Sequence, residues 1–221
     1  TFTKLYECLV QPVMLYGAAL WGVKDYRKLN VVQNRACKYF LGVPKNTSNT
    51  ACLGDVGWLS IASKQKIEMV RLWCRLKNMD KTRLTHSIHQ WSLSMSNRNI
   101  KTLEYYVKSD LKDAKLLNLA SSDEGVPTKH VLSIYRDHVN NVDAAKWNKK
   151  VWDDKGNEVN GNKLRLYRCH KPKILVESYV TTMMPFAHRK FLAMLRCGSL
   201  PLEIELGRRS KIPLHNRICK L

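Results

Sequence analysis

The stretch between residues 61 and 78 leaves this chain the fewest choices. Placed at about 100° per residue, Ile67, Met69, Val70, Leu72, Trp73, Cys74 and Leu76 fill most of a helix circumference. Lys64, Glu68, Arg71 and Arg75 collect in the one narrow arc that remains. A helix so apolar must be covered on several sides, so this segment requires other elements packed around it and leaves a single cationic ridge. Ser60 stands where an N-cap belongs.

Candidate neighbours carry weaker versions of the same period. Residues 27–41 put Leu29, Val32, Ala36 and Phe40 inward and Arg35 and Lys38 on the other side, with Gly42 and Pro44 as the stop. Residues 1–22 space Leu5, Leu9, Val13, Tyr16 and Leu20 about one turn apart, interrupted at Pro12 and weakened at Gly17. Segments 100–119 (Leu103, Val107, Leu111, Leu116) and 128–151 (Val131, Ile134, Val139) read as helical, separated by a turn or linker from Ser121 to Pro127. Asp153 to Asn162 is a hydrophilic turn. A helix is expected from Leu175 to Thr182. Pro185 starts another, with Phe191, Leu192 and Leu195 on one side and Arg189, Lys190 and Arg196 elsewhere. Cys8, Cys37, Cys52 and Cys74 read as small core residues.

Charge narrows the partner. The chain carries 38 Lys and Arg against 18 Asp and Glu, a formal +20, with apolar residues at 44%. A core is therefore available, while the surplus disfavours compaction through self-repulsion and calls for a polyanion. Nucleic acid fits first, since each neutralised phosphate adds affinity by counterion release; a merely soluble basic protein, or one touching anionic lipid, fits the same number. Nothing approaches the roughly 20 apolar residues of a membrane span. The start, Thr1-Phe2-Thr3-Lys4, implies a piece of a longer polypeptide. Seven scattered cysteines read as reduced thiols rather than a disulfide framework.

No complete catalytic inventory emerges. Two-metal polymerase chemistry needs carboxylates that hold both ions. Asp153-Asp154 is the only adjacent pair of aspartates, crowded by Lys149, Lys150 and Lys155, and reads as a surface turn. No phosphate-binding loop or nucleophile elbow is present. His215 and Cys219 have half-site spacing for zinc, but nothing in the spacing draws Cys169, His170, His188 or Cys197 in to complete it.

Two blocks resemble the region that follows the catalytic palm in non-LTR (LINE-type) retrotransposon reverse transcriptases. The first is Leu5-Tyr6-Glu7-Cys8-Leu9-Val10-Gln11-Pro12-Val13-Met14-Leu15-Tyr16-Gly17 with Trp21-Gly22, then Val32-Gln33-Asn34-Arg35, Phe40-Leu41-Gly42-Val43, Thr47-Ser48-Asn49 and Gly54-Asp55-Val56-Gly57-Trp58-Leu59. The second runs from Tyr167, Glu177, Tyr179 and Arg189 to Leu195-Arg196-Cys197-Gly198 and Pro201-Leu202-Glu203-Ile204-Glu205-Leu206-Gly207-Arg208.

The resemblance implies a mainly α fold: a thumb-like helical bundle over 1–79, a variable helical region over 80–162 and a basic C-terminal helical segment over 163–221, with a short β-hairpin or none around 150–167. It implies a noncatalytic, intracellular and nuclear part of an RNA-directed DNA polymerase that binds template RNA and target DNA. Its partners are RNA, DNA and an upstream polymerase domain, with no membrane. Mg²⁺ would belong to that upstream palm, and Zn²⁺ to a Cys/His knuckle cut short after Cys219. The cations expected on phosphate are Lys38, Lys45, Lys64, Arg71 and Arg75, then Arg189, Arg196, Arg208, Arg209 and Lys211. A stand-alone nucleic-acid-binding module, or a packing platform for the polymerase domain, are the rival expectations.

Overall fold

The computed structural model of the chain describes residues 2–24, 26–98, 100–121, 127–153 and 164–218. Every regular element among them is helical. In chain order these are α1 (Phe2–Leu5), a π-helical turn (Tyr6–Val10), α2 (Gln11–Met14), α3 (Ala18–Trp21), α4 (Arg27–Leu41), α5 (Asn49–Val56) and α6 (Ile61–Lys77). There follow α7 (Leu84–Asn97), α8 (Leu103–Asp113), α9 (Leu117–Ser121), α10 (Thr128–Trp152), α11 (Arg165–His170), α12 (Ser178–Thr181), α13 (Phe186–Arg196) and α14 (Glu203–Arg209), with a short 3₁₀ turn at Leu214–Asn216. The fold is mainly α, as the periodicity implies. Of the hairpin considered around 150–167, residues 154–163 lie outside the described set; Trp152 and Arg165 are helical.

The chain forms two compact units, built from segments that alternate along the sequence. One consists of Leu9–Arg27 and Ser60–Asp143, the other of Thr1–Cys8, Lys28–Leu59 and Ala144–Leu221. Their boundaries fall inside the segments 1–79 and 80–162 rather than between 1–79, 80–162 and 163–221. The reason lies in which residues cover which face.

In the first unit α6 is the centre. Ile67, Met69, Val70, Trp73 and Cys74 join Val107 and Leu111 of α8 and Val131, Tyr135 and Val139 of α10 in one buried cluster. Trp73 Nε1 donates to the buried carboxylate of Glu104 (2.5 Å), whose other oxygen lies 3.1 Å from Lys108 Nζ. Ser60 caps α6 as its position implies: its Oγ accepts from the backbone N–H of Ser63 at 3.1 Å. The Ser60 N–H and hydroxyl in turn donate to Asp143 at 2.9 and 3.2 Å, which sets a carboxylate at the positive end of the helix dipole. Ser60→Ala is expected to lower stability by about 1–2 kcal/mol, the usual weight of a cap, measured as a shift in the urea midpoint at unchanged slope.

Two departures belong to this unit. Helix α7, not anticipated, is rich in Ser, His, Thr and Asn, and of its side chains only His89 is buried. The segment expected as one helix over 100–119 is two, because Lys115 adopts a left-handed φ of 58° between α8 and α9.

The second unit is held by α5. Trp147 Nε1 of α10 donates to the Thr50 carbonyl (2.9 Å) and Tyr167 Oη of α11 to the Ala51 carbonyl (3.0 Å). Gly54 permits that approach. A Cβ there would stand 2.5 Å from Tyr167 Oη and 2.8 Å from the Trp147 ring. Tyr6 stacks on Trp58 with centroids 4.2 Å apart, and Trp58 Nε1 donates to Glu7 at 3.0 Å. Gly42, at a φ of 70°, ends α4 where the Gly–Pro signal places its stop.

Three sequence expectations change. Pro12 interrupts the first helical stretch, which widens into the π-helical turn before it, and the apolar stripe faces water. Leu9, Val13, Tyr16 and Leu20 are 64–85% exposed, and Leu5 is exposed as well. Cys37, Cys52 and Cys74 are buried, but Cys8 is exposed. The helix expected over 175–182 shortens to α12, because the Glu177 N–H donates to the Asp55 carbonyl at 2.9 Å rather than into a helical turn.

Candidate nucleic-acid interface

The sequence-selected cations take different situations. On α6, Lys64 Nζ donates to Gln11 Oε1 at 2.5 Å and Arg71 pairs with Glu68 of its own helix at 2.5 Å. Arg75 is exposed. The ridge exists, but Glu68 neutralises its middle. Lys38 and Lys45, expected to extend it, belong to the other compact unit.

Arg196 leaves the list of phosphate contacts. Its Nε lies 3.0 Å from Asp55 Oδ2, and its Nη2 lies 3.4 Å from Asp55 Oδ1 and 3.1 Å from Glu177 Oε1. Asp55 is wholly buried, and its carboxylate also accepts from Tyr167 Oη (2.9 Å) and Tyr179 Oη (2.7 Å). Lys171 Nζ, itself buried, meets Glu177 at 2.5 Å and donates to the Leu175 carbonyl. A guanidinium locked this way by two carboxylates positions helices and has little left for a ligand. Asp55 with Gly54 comes from the first motif block, and Tyr167, Glu177, Tyr179 and Arg196 come from the second. Residues more than a hundred positions apart thus close into one network.

Burial, then the neighbouring Asp55 charge, pushes both the Tyr167 and Tyr179 hydroxyls well above their ordinary value of 10.0. Tyr6 is pushed up to about 12 by burial. The sign follows. The unfolded chain ionises these phenols near pH 10 while the folded chain keeps them neutral, so their contribution is intact below pH 10 and falls as pH rises past it. Each phenol is worth about 1.4 kcal/mol per pH unit there. Thermal melts between pH 9 and 12 are expected to fall more steeply for the wild type than for Tyr179→Phe. Equal slopes would contradict the burial of that hydroxyl.

Beside Asp55, Cys52 and Cys197 are hydrogen-bonded thiols, and that bond and burial push Cys197 far up. They are core groups. Among the described residues no group of three or more His, Cys, Asp or Glu side chains could hold a metal ion. Asp154 and Cys219 lie outside the described residues.

Arg189 is held differently. Its guanidinium lies 4.5 Å from the Phe40 ring centroid and 5.8 Å from that of Phe186, and its buried Nε has no hydrogen-bond partner. Stacking on two rings orients the charge without neutralising it. Lys211 is exposed, at a left-handed φ of 57° just after α14. Arg208 and Arg209 end α14, and their side chains lie outside the described set.

The remaining pair, Lys38 and Lys45, stands at a real concavity. A depression of about 810 Å³ opens between α4 and the loop that follows it. Lys38 Nζ donates to the Lys45 carbonyl at 2.7 Å and ties that loop to the helix. Arg35, Lys38 and Lys45 supply the charge of the wall, Val31 and Val43 its apolar part, and Asn34, Tyr39 and Asn49 the rest. Among the described residues no carboxylate lines it. Arg35 and Tyr39 were not selected from sequence as site residues, although the spacing Arg35, Lys38, Tyr39 at i, i+3 and i+4 is the signal that places all three on one helix face.

Compared with protein-family models, with curated proteins and with solved structures, the chain matches none.

Proposed function

We propose that this chain is a noncatalytic nucleic-acid-binding part of a retrotransposon RNA-directed DNA polymerase, one that grips phosphate while polymerisation happens in an upstream domain. The observation that carries it is the basic depression of Arg35, Lys38 and Lys45, with no carboxylate among its described lining residues. In a chain of net charge +20, cations gathered on one open surface without counter-charges suit a polyphosphate. Arg189, oriented by Phe40 and Phe186, is a further contact of the same unit. The parentage rests on the resemblance of the two motif blocks. RNA and DNA are the partners, and a nuclear setting follows from that parentage.

The joint variant Arg35→Gln, Lys38→Gln and Lys45→Gln tests the reading. Three lost phosphate contacts weaken binding on the order of 100-fold at about 0.15 M salt, measured by anisotropy on a labelled RNA–DNA hybrid. Arg71→Gln, whose guanidinium already has Glu68, is the control and is expected to change affinity less than about threefold. A larger loss in the control than in the joint variant would put the site on α6 instead. Alone with template, primer, Mg²⁺ and nucleotides, the chain is expected to extend nothing.

One observation favours the rival packing platform for a polymerase domain. Leu9, Val13, Tyr16 and Leu20 form exposed apolar surface on one unit, of the kind that marks protein contacts. Phosphate binding and a protein contact on separate surfaces are compatible, and salt dependence separates the two as primary roles.

A further inference from the structure

We infer that the depression beside α4 takes one unpaired nucleotide, its base stacked on Tyr39 and its flanking phosphates held by Arg35, Lys38 and Lys45; this rests on the nucleic-acid reading above and specifies the form of nucleic acid. Tyr39 is the observation that goes beyond charge. Tyr39 is 78% exposed, at the edge of a cavity whose lining also includes Arg35, Lys38 and Lys45. Phe2 backs it, with ring centroids 6.0 Å apart at 46°, and Phe2 itself stacks on Phe40 at 5.2 Å. The phenol ring is therefore held from one side and open on the rest.

An aromatic platform interleaved with cations is the arrangement that captures single strands, because every base has a π-face and every linkage a phosphate. In a duplex the base faces are already stacked on one another and cannot reach such a ring. Size agrees: about 810 Å³ lies within the range of pockets that enclose small ligands and holds one nucleotide with its neighbouring phosphates. Asn34 and Asn49 also line the cavity, and a side-chain amide carries both donor and acceptor groups. The Lys38 tie to the Lys45 carbonyl fixes the loop, so the cations stand in place before a strand arrives.

The test uses the full chain and three labelled probes of equal phosphate number: a mixed-sequence single strand, the same strand built of abasic sites, and a blunt duplex. Anisotropy is expected to show the base-bearing strand bound roughly tenfold more tightly than the abasic one, the scale of a single base–aromatic stack. Tyr39→Ala is expected to erase that preference while leaving abasic-strand and duplex affinities unchanged, and Tyr39→Phe to retain it. Equal wild-type affinity for the base-bearing and abasic strands overturns the nucleotide pocket and leaves phosphate binding standing. A preference that survives Tyr39→Ala overturns it as well. No binding of any probe overturns the nucleic-acid reading, and the pocket with it.

Discussion

Asp55→Ala is expected to bring the compact unit that contains it close to unfolding, with a loss of about 3–5 kcal/mol. The wild-type carboxylate is wholly buried and accepts from two phenols and an arginine. Removing it leaves the Arg196 guanidinium facing Glu177 alone, in competition with Lys171. It also leaves the Tyr167 hydroxyl only the Ala51 carbonyl and strips Tyr179 of its acceptor. Each orphaned buried donor adds desolvation cost. Domains of ordinary stability have 5–15 kcal/mol in all, so the loss is a large fraction of the whole. Tyr179→Phe removes one hydrogen bond and no charge, and about 1 kcal/mol is expected. Denaturant midpoints followed by circular dichroism rank the two. An Asp55→Ala midpoint indistinguishable from that of Tyr179→Phe would show that the network does not hold the unit.

The same network explains why Arg196 misleads when read from the sequence. Locally it is one more cation on an amphipathic helix, beside Arg189 and Lys190. Its partner sits 141 positions away, and no period or spacing carries that pairing. The element the sequence made most legible is α6, where apolar period and the Ser60 cap agree. For α4 the Gly42 stop was legible, but of the residues expected inward Phe40 is buried while Val32 is exposed, and Gln33 and Cys37 take the buried side. Helix α7 was illegible because it buries little. Leu84 and Trp91 are exposed, and a helix with a weak inward face leaves a weak pattern. The stripe from Leu5 to Leu20 shows the opposite failure. Its period is correct for a helix, but period alone does not say which side meets the core.

For the candidate interface, charge was legible and geometry was not. Lys38 and Lys45 were selected as cations, without any sign that a lysine-to-carbonyl hydrogen bond joins them into the wall of one cavity. Tyr39 was hidden because an aromatic inside an apolar run reads as core. The motif residues Gly54, Asp55, Tyr167, Tyr179 and Arg196 are packing determinants, so the resemblance marks the scaffold, while Arg35, Tyr39 and Lys45 mark the surface proposed to meet nucleic acid.

That proposal makes a second large prediction. Phosphate contacts release counterions, so the logarithm of affinity falls with the logarithm of salt by about 0.9 per contact. Arg35, Lys38 and Lys45 alone give a slope near −2.7, or roughly a 40-fold loss between about 50 and 200 mM salt. Arg189 and Lys190 on α13 steepen it. A protein that met nucleic acid only through a diffuse basic coat would keep its slope in the joint Gln variant, whereas a localised site gives up nearly three units. The most direct measurement is therefore the equilibrium affinity of the wild-type chain for a labelled RNA–DNA hybrid across that salt range. The account predicts a linear double-logarithmic fall with a slope of about −2.5 or steeper; a flat response would contradict it and leave the packing platform in its place.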